Sequence, residues 1–253
     1  MWLMLGYTCS ISAQKVERIN PLCWWADMNT DLQLMLYGKN LKDATVRVLE
    51  PGMSVSSIHN AESPNYLFVD VIVDKVGRYT LEVEKGDRKL KIPYEIFPRR
   101  EGAENREGLT SSDVIYLIMP DRFANGDMDN DCIKGASQIL DRKGLETRHG
   151  GDIRGIMDHL DYMADLGITA IWSTPLLEDN QFYHHYAISD YYNIDPHFGT
   201  NELYKEMVSE AHSKGLKIIQ DIVPNHCGSG HWWMRDLPFK DWVTCFDTFT
   251  QSN

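Results

Sequence analysis

The sequence predicts two dissimilar folds in one chain: an antiparallel β-sandwich over residues 19–97, then a parallel α/β unit over residues 114–253. Three observations carry this reading. Short alternating apolar runs, punctuated by Gly, Pro, Asn and Asp, fill the first stretch, which is the pattern of half-buried antiparallel strands. A charged, apolar-poor segment, residues 98–113, reads as a linker. Beyond it, continuous apolar runs alternate with amphipathic helical ones, as in a parallel sheet covered on both faces.

Taken in order, the first fourteen residues, MWLMLGYTCSISAQ, are apolar and uncharged and end in small residues before Lys15. Residues 1–13 therefore read as the end of a secretory signal cut after Ala13, although its basic leading region is missing. An ordinary buried first strand is the alternative. The signal reading places the mature protein in the periplasm or outside the cell. No other segment approaches the roughly eighteen apolar residues that a membrane span needs.

The sandwich reading rests on DLQLMLYG, ATVRVLE, NYLFVDVIV and GRYTLEVEKGDRKLKIPYEIF. Paired tryptophans, Trp24 and Trp25, stand at its start; packing and an exposed sugar platform are both open for them. After the linker, VIYLIM and ITAIWS are strand-like. DIRGIMDHLDYMADLG puts Ile153, Ile156, Met157, Leu160 and Met163 on one helical face. TNELYKEMVSEAHSKG opens on Thr200 as helix N-cap and stops at Gly215 before the strand LKIIQDIV. This βαβαβ order fits a doubly wound sheet or a barrel, and in both the ligand sits at the carboxyl ends of the strands.

Composition narrows the ligand. The chain has 253 residues, 43% of them hydrophobic, and a formal charge of −12. Nucleic acid and anionic membranes are excluded as partners, because polyanions need clustered Lys and Arg. The five cysteines are odd in number, widely spaced and without a CxxC pair, so no disulfide or zinc framework is readable. Asp221, Asn225 and His226 fall just past the third strand of the α/β unit, where such folds place their chemistry. Asn125, Asp127, Asn130 and Asp131 crowd into one short turn, with Gly150 and Asp152 downstream. Hard oxygen donors in this density suit calcium, although the spacing is not that of an EF-hand and a solvated Asn/Asp turn is the alternative.

Four motifs in order, DRFANGDMDND, HGGDIRGI, YHHYAISDYYNIDPHFGT and QDIVPNH, together resemble the α-amylase family of glycoside hydrolases. Within it they resemble the cyclomaltodextrinase and neopullulanase branch, and PLCWWADMNTDLQLMLYG with NYLFVDV resembles that branch's N-terminal domain. The resemblance implies an immunoglobulin-like β-sandwich followed by the first part of a (β/α)8 TIM barrel, truncated after the third strand and entering the excursion that follows it. It implies that His184, Tyr186 and His226 bind sugar, that Asp221 and Asn225 support the active site, and that Asn125, Asp127, Asn130, Asp131, Gly150 and Asp152 hold a structural Ca2+. His185 stands where many relatives have Gly, and no role is carried over to it.

The implied substrate is an α-glucan oligosaccharide, pullulan or a cyclodextrin, cut at α-1,4 or α-1,6 bonds with retention. Retention takes two carboxyl groups about 5–5.5 Å apart, which the family draws from the fourth and fifth strands. A closed barrel takes about 250 residues, more than follow the linker, so no catalytic residue is expected in this chain and no turnover by it alone. An open sheet predicts an unpaired edge and uncovered apolar surface. A non-catalytic α-glucan-binding module is the alternative function. A homodimer of the full-length protein is a further arrangement that the resemblance allows.

Overall fold

The computed structural model describes residues 15–244 except 137 and 180. The signal reading of residues 1–13, and Cys9 and Cys245, lie outside the described residues. The chain divides into two compact units, one of residues up to Arg106 together with those from Asp236 onward, the other Glu107–Arg235.

The first unit is built of β1 (Val16–Asn20), β2 (Trp24–Trp25), β3 (Leu32–Gly38), β4 (Thr45–Val48), β5 (Met53–Asn60), β6 (Tyr66–Val73), β7 (Gly77–Lys85) and β8 (Arg88–Phe97). They form two four-stranded sheets, ordered β1-β3-β6-β5 and β2-β8-β7-β4. Pairing is antiparallel except between β2 and β8, where Trp24 faces Ile96 in a parallel register. That one pair departs from the all-antiparallel expectation. Leu34, Leu36, Leu67, Val69, Leu81 and Val83 are fully buried in one core.

Two features escape sequence patterning. β5 is mostly exposed, so its apolar alternation is too weak to announce a strand. β6 buries residues on both faces because its outer side is covered from far along the chain. Phe239 stacks on Phe68 at 5.9 Å, and the Asp236 carboxylate accepts from Ser63 Oγ at 2.8 Å and Asn65 Nδ2 at 2.7 Å. Asp236, Phe239 and Trp242 therefore pack with the sandwich. Trp24 packs against the sandwich core, while Trp25 stays partly exposed beside Phe97.

The second unit contains β9 (Ile115–Ile118), α1 (Pro120–Phe123), α2 (Ile153–Met157), α3 (Leu160–Asp165), β10 (Ala170–Ser173), β11 (Leu177–Glu178), β12 (Asp190–Ile194), α4 (Asn201–Ser213) and β13 (Lys217–Gln220). β9, β10 and β13 make one parallel sheet in the order β13-β10-β9. β11 and β12 form a separate antiparallel pair. The Thr200 hydroxyl caps α4 by accepting from Leu203 N at 3.1 Å, as its sequence predicts.

The single helix expected over residues 152–167 is instead two short ones, α2 and α3, broken at Asp158 and His159. The His159 ring bonds back to Gly155 O at 2.8 Å in place of a continued helix ladder. Helix packing covers one face of the sheet through Ile118, Ile153, Ile156, Leu160, Met163, Ile171 and Met207. Ile115, Leu117 and Trp172 alternate with these residues along the strands and remain exposed. No helix among the described residues is long and apolar enough to cross a membrane.

Candidate functional site

The carboxyl ends of β10 and β13 bring the predicted residues together. Asp221 follows β13 directly, and its Oδ2 accepts from Trp172 Nε1 at 3.1 Å and from Tyr186 Oη at 3.2 Å. In-register pairing of Trp172 with Ile219 places the indole beside the end of the neighbouring strand. Burial, reinforced by the Asp221 carboxylate, pushes the Tyr186 phenol above its ordinary range, so the phenol is a neutral donor at neutral pH.

His226 Nε2 donates to the Tyr186 carbonyl at 3.1 Å. A carbonyl can only accept, so Nε2 carries a proton. Its Nδ1 lies 3.1 Å from Asn225 Oδ1. His184 Nδ1 accepts from Tyr186 N at 3.1 Å, and its ring lies stacked on Phe182 with centroids 5.0 Å apart. The structure thus joins all five predicted binding and support residues in one connected group, with polar tips and aromatic faces toward solvent. Such a surface suits a polyol, whose hydroxyls both donate and accept while its C–H face lies on a ring.

Four further residues build this group and were not legible as site residues. Trp172 sits on a strand that reads as pure core. Tyr191 Oη donates to Val223 O at 2.9 Å and His226 O at 2.7 Å, bracing the segment after β13. Asp179, fully buried, accepts from the backbone N–H of Gln181 at 2.8 Å, Phe182 at 3.1 Å and Ala187 at 3.0 Å. Burial raises its carboxyl above the usual range, and the three N–H donors oppose that shift.

His185 is the fourth. Its φ is +59° and its ring is fully buried against Phe198, with centroids 4.2 Å apart. Nδ1 donates to Leu177 O at 3.2 Å, and Nε2 accepts from Arg148 Nη1 at 3.4 Å. Burial, reinforced by Arg148 and offset by Asp195, pulls this imidazole down to about 4, so it is neutral. A residue to which the sequence assigns no role is thus the buried pin of the loop carrying His184 and Tyr186.

The predicted cation ligands separate into two roles. Asn125 Nδ2 donates to Asp131 Oδ1 at 2.8 Å, and a Cβ on Gly150 would lie 2.3 Å from that same oxygen. These three converge, and Gly150, at φ +87°, leaves the space beside Asp131 Oδ1 and Asn125 Nδ2 that a Cβ would fill. The side-chain oxygens of Asn125 and Asn130 are buried without a hydrogen-bond partner among the described residues. Orphaned amide oxygens beside a carboxylate are a donor set that suits a hard cation.

Asp152 differs. Its Oδ1 accepts from Gly126 N and Gly155 N and its Oδ2 from Asp127 N and Asn130 Nδ2, at 2.7–3.2 Å, so it shapes the loop and caps α2. Asp127 is exposed and accepts from Asp129 N at 3.0 Å. Among the described residues no group of three or more His, Cys, Asp or Glu could hold a metal ion, so any cation here would rest on amide and backbone oxygens beside Asp131.

Residues 117–244 match the family profile described as alpha amylase, catalytic domain, and residues 18–100 match that described as cyclomaltodextrinase, N-terminal. The chain is 37% identical over 145 residues to a cyclomaltodextrinase of Thermoanaerobacter pseudethanolicus, covering 54% of this chain and 25% of that protein. It is 41% identical over 140 residues to neopullulanase 2 of Thermoactinomyces vulgaris, covering 51% and 23%. A cyclomaltodextrinase of Geobacillus thermopakistaniensis is 43% identical over 139 residues, again covering 51% and 23%. The chain spans about a quarter of the length of each of these relatives.

Proposed function

The chain belongs to the α-amylase family, and from that premise we propose that it forms the substrate-holding part of a retaining α-glucan hydrolase. Its substrates are maltooligosaccharides, cyclodextrins or pullulan, cut at α-1,4 or α-1,6 glucosidic bonds. The observation that carries this reading is the convergence of Tyr186 and Trp172 on Asp221, with His226 bonded to the Tyr186 carbonyl. Tyr186 and His184 offer ring surface to the C–H face of a glucosyl unit. Asp221, Asn225 and His226 offer the hydrogen bonds that orient its hydroxyls.

Bond cleavage with retention requires a nucleophile and a separate acid/base carboxyl flanking the bond. Asp221 is committed to Trp172 and Tyr186, so its role is support, and we assign the cleaving carboxylates to strands outside residues 1–253. A (β/α)8 barrel is the architecture in which β9, β10 and β13 would be the first three strands, their exposed face turned to its interior. Two four-stranded sheets at the N-terminus suit the immunoglobulin-like accessory domain of the cyclomaltodextrinase branch. The Asn125, Asn130, Asp131 and Gly150 oxygens would hold a structural Ca2+, whose chemistry is to neutralise and tether the loop. Export to the periplasm or beyond remains tied to residues 1–13, and a homodimer belongs to the whole protein.

Isothermal titration of the chain with maltotriose, alongside a reducing-sugar assay, tests the reading. Binding without turnover, weakened at least tenfold in Tyr186→Ala, is expected. Binding that Tyr186→Ala leaves unchanged would overturn the site, and turnover would overturn the assignment of the carboxylates.

A further inference from the structure

The two rings assigned above to the sugar, those of His184 and Tyr186, flank a residue that faces the other way. His185 is fully buried, and its φ of +59° lies in the left-handed region, which non-glycine residues keep only where their surroundings hold them. That bend has a direct consequence at the surface. The hydrogen bond from Tyr186 N to His184 Nδ1, 3.1 Å, reaches across His185, and the Tyr186 carbonyl accepts from His226 Nε2 at 3.1 Å. Relaxation of His185 to a negative φ would turn Tyr186 N away from His184 and the phenol away from Asp221.

Contacts from other segments hold the bend. The His185 ring packs on Phe198 with centroids 4.2 Å apart, Nδ1 lies 3.2 Å from Leu177 O, and Nε2 lies 3.4 Å from Arg148 Nη1. A guanidinium can only donate and a carbonyl can only accept, so these two partners select one ring state, the neutral imidazole with its proton on Nδ1. The other tautomer would set two N–H groups against each other at one end and two lone pairs at the other. Asp195 Oδ2, 3.6 Å from Nδ1, favours the same choice.

Arg148 is itself held in place. Its side chain is fully buried, with the guanidinium carbon 5.3 Å from the Phe198 ring centre and Nη2 3.7 Å from Asp121 Oδ1. Its backbone is tied on both sides, N to Ile139 O at 3.0 Å and O to Asp141 N at 2.9 Å. A planar guanidinium fixed in this way is a rigid donor aimed at His185 Nε2. Asp179 ties the ends of the same loop through Gln181, Phe182 and Ala187, which leaves its middle to the His185 ring.

We propose that Arg148 and His185 act together as positioning residues of the sugar group: Arg148, by donating to His185 Nε2, holds the ring that keeps His184 and Tyr186 in their binding geometry. The inference rests on the α-glucan reading above for the identity of the ligand. It adds that two buried side chains, neither in contact with the sugar, set the affinity for it.

Isothermal titration of the full chain with maltotriose, with near-ultraviolet circular dichroism of every variant, tests it. His185→Asn tolerates the positive φ and keeps a donor near the Nδ1 position, but has no counterpart of Nε2. Arg148→Met removes the donor and leaves Asp121 paired with Arg122. Each should weaken maltotriose binding at least fivefold with the fold retained, and the double variant should bind no more weakly than His185→Asn, because Arg148 acts through His185. His185→Gly, which meets this φ without strain, takes the place of either variant that disturbs the fold and should weaken binding likewise. In nitrogen NMR of histidine-labelled chain, His185 should carry its proton on Nδ1; a proton on Nε2 would overturn the pairing with Arg148. Folded variants that bind as tightly as the unsubstituted chain, while Tyr186→Ala loses binding, would overturn this inference and leave the proposed function standing. Losses that multiply in the double variant would overturn the joint action of the pair. No maltotriose binding by the unsubstituted chain would overturn the glucan reading, and this inference with it.

Discussion

At the scale of single residues, the site works by fixing the direction of its hydrogen bonds. His226 donates through Nε2 because its partner is a carbonyl, and the Tyr186 hydroxyl donates to the Asp221 carboxylate, which can only accept. Tyr186→Phe removes that donor and keeps the ring, so maltotriose affinity should fall about two- to fivefold, well short of the loss in Tyr186→Ala, by the same titration. The bond is partly exposed, which keeps its worth near the lower end of about 0.5–1.5 kcal/mol. His185 predicts a pH dependence. Its folded value, about 4, lies below the ordinary value near 6.5, so the unfolded chain binds the proton more readily. The stability this gives is fully present above about pH 6.5 and is lost as pH falls toward about 4. Urea midpoints measured between pH 7 and 4 should fall, and in His185→Asn, which tolerates the positive φ, the fall should be smaller. Asp221, Asn225 and His226 were legible from their place just past a strand, and His184 and Tyr186 only through the family resemblance of the motif that holds them. His185 and Asp179 were not, since nothing in a sequence says that a His or an Asp in a polar loop is fully buried.

At the scale of elements, the segment between β9 and α2 is held by two buried carboxylates, Asp121, which accepts from His149 N and Gly150 N, and Asp152. Asp152 answers four N–H donors, two on each oxygen. An N-cap alone contributes about 1 kcal/mol, and each buried donor left unanswered costs about 1–3 kcal/mol. Asp152→Ala should therefore destabilise by at least about 2 kcal/mol, read from the urea midpoint at constant m-value. Calcium should act on the same loop. At a hundredfold excess over its dissociation constant, a cation bound only by the folded state adds about 2.7 kcal/mol, or about 5–10 °C in Tm for a chain of this size. Adding EGTA should reverse that gain, and Gly150→Ala, whose Cβ would meet Asp131 Oδ1 at 2.3 Å, should abolish the response to calcium. An unchanged Tm in both conditions would argue against a cation here. Thr200 and Gly215 were readable as helix ends from local chemistry. The break between α2 and α3 was not, because apolar spacing runs on through Asp158 and His159 while the His159 ring bonds back to Gly155.

At the scale of the whole molecule, the parallel sheet of β9, β10 and β13 is covered on one face by helices, while Ile115, Leu117 and Trp172 stay exposed on the other. Parallel sheets occur almost only with both faces buried. The chain should self-associate with rising concentration in light scattering and bind an apolar dye in the native state, and Leu117→Lys should reduce both. Monomeric, dye-free behaviour at high concentration would count against an uncovered face. By itself the sequence determined the strand and helix periods, the family motifs and the polar and aromatic residue types that meet near the carboxyl ends of β10 and β13, because alternation, caps and donor chemistry are local. Only the tertiary structure decided that Asp236 and Phe239 pack on the sandwich, that Trp172 reaches Asp221, that Asp152 accepts from four N–H donors, and that Arg148 is fully buried. Those outcomes depend on which groups lose water to one another across long stretches of chain, and desolvation between distant residues leaves no mark in local spacing.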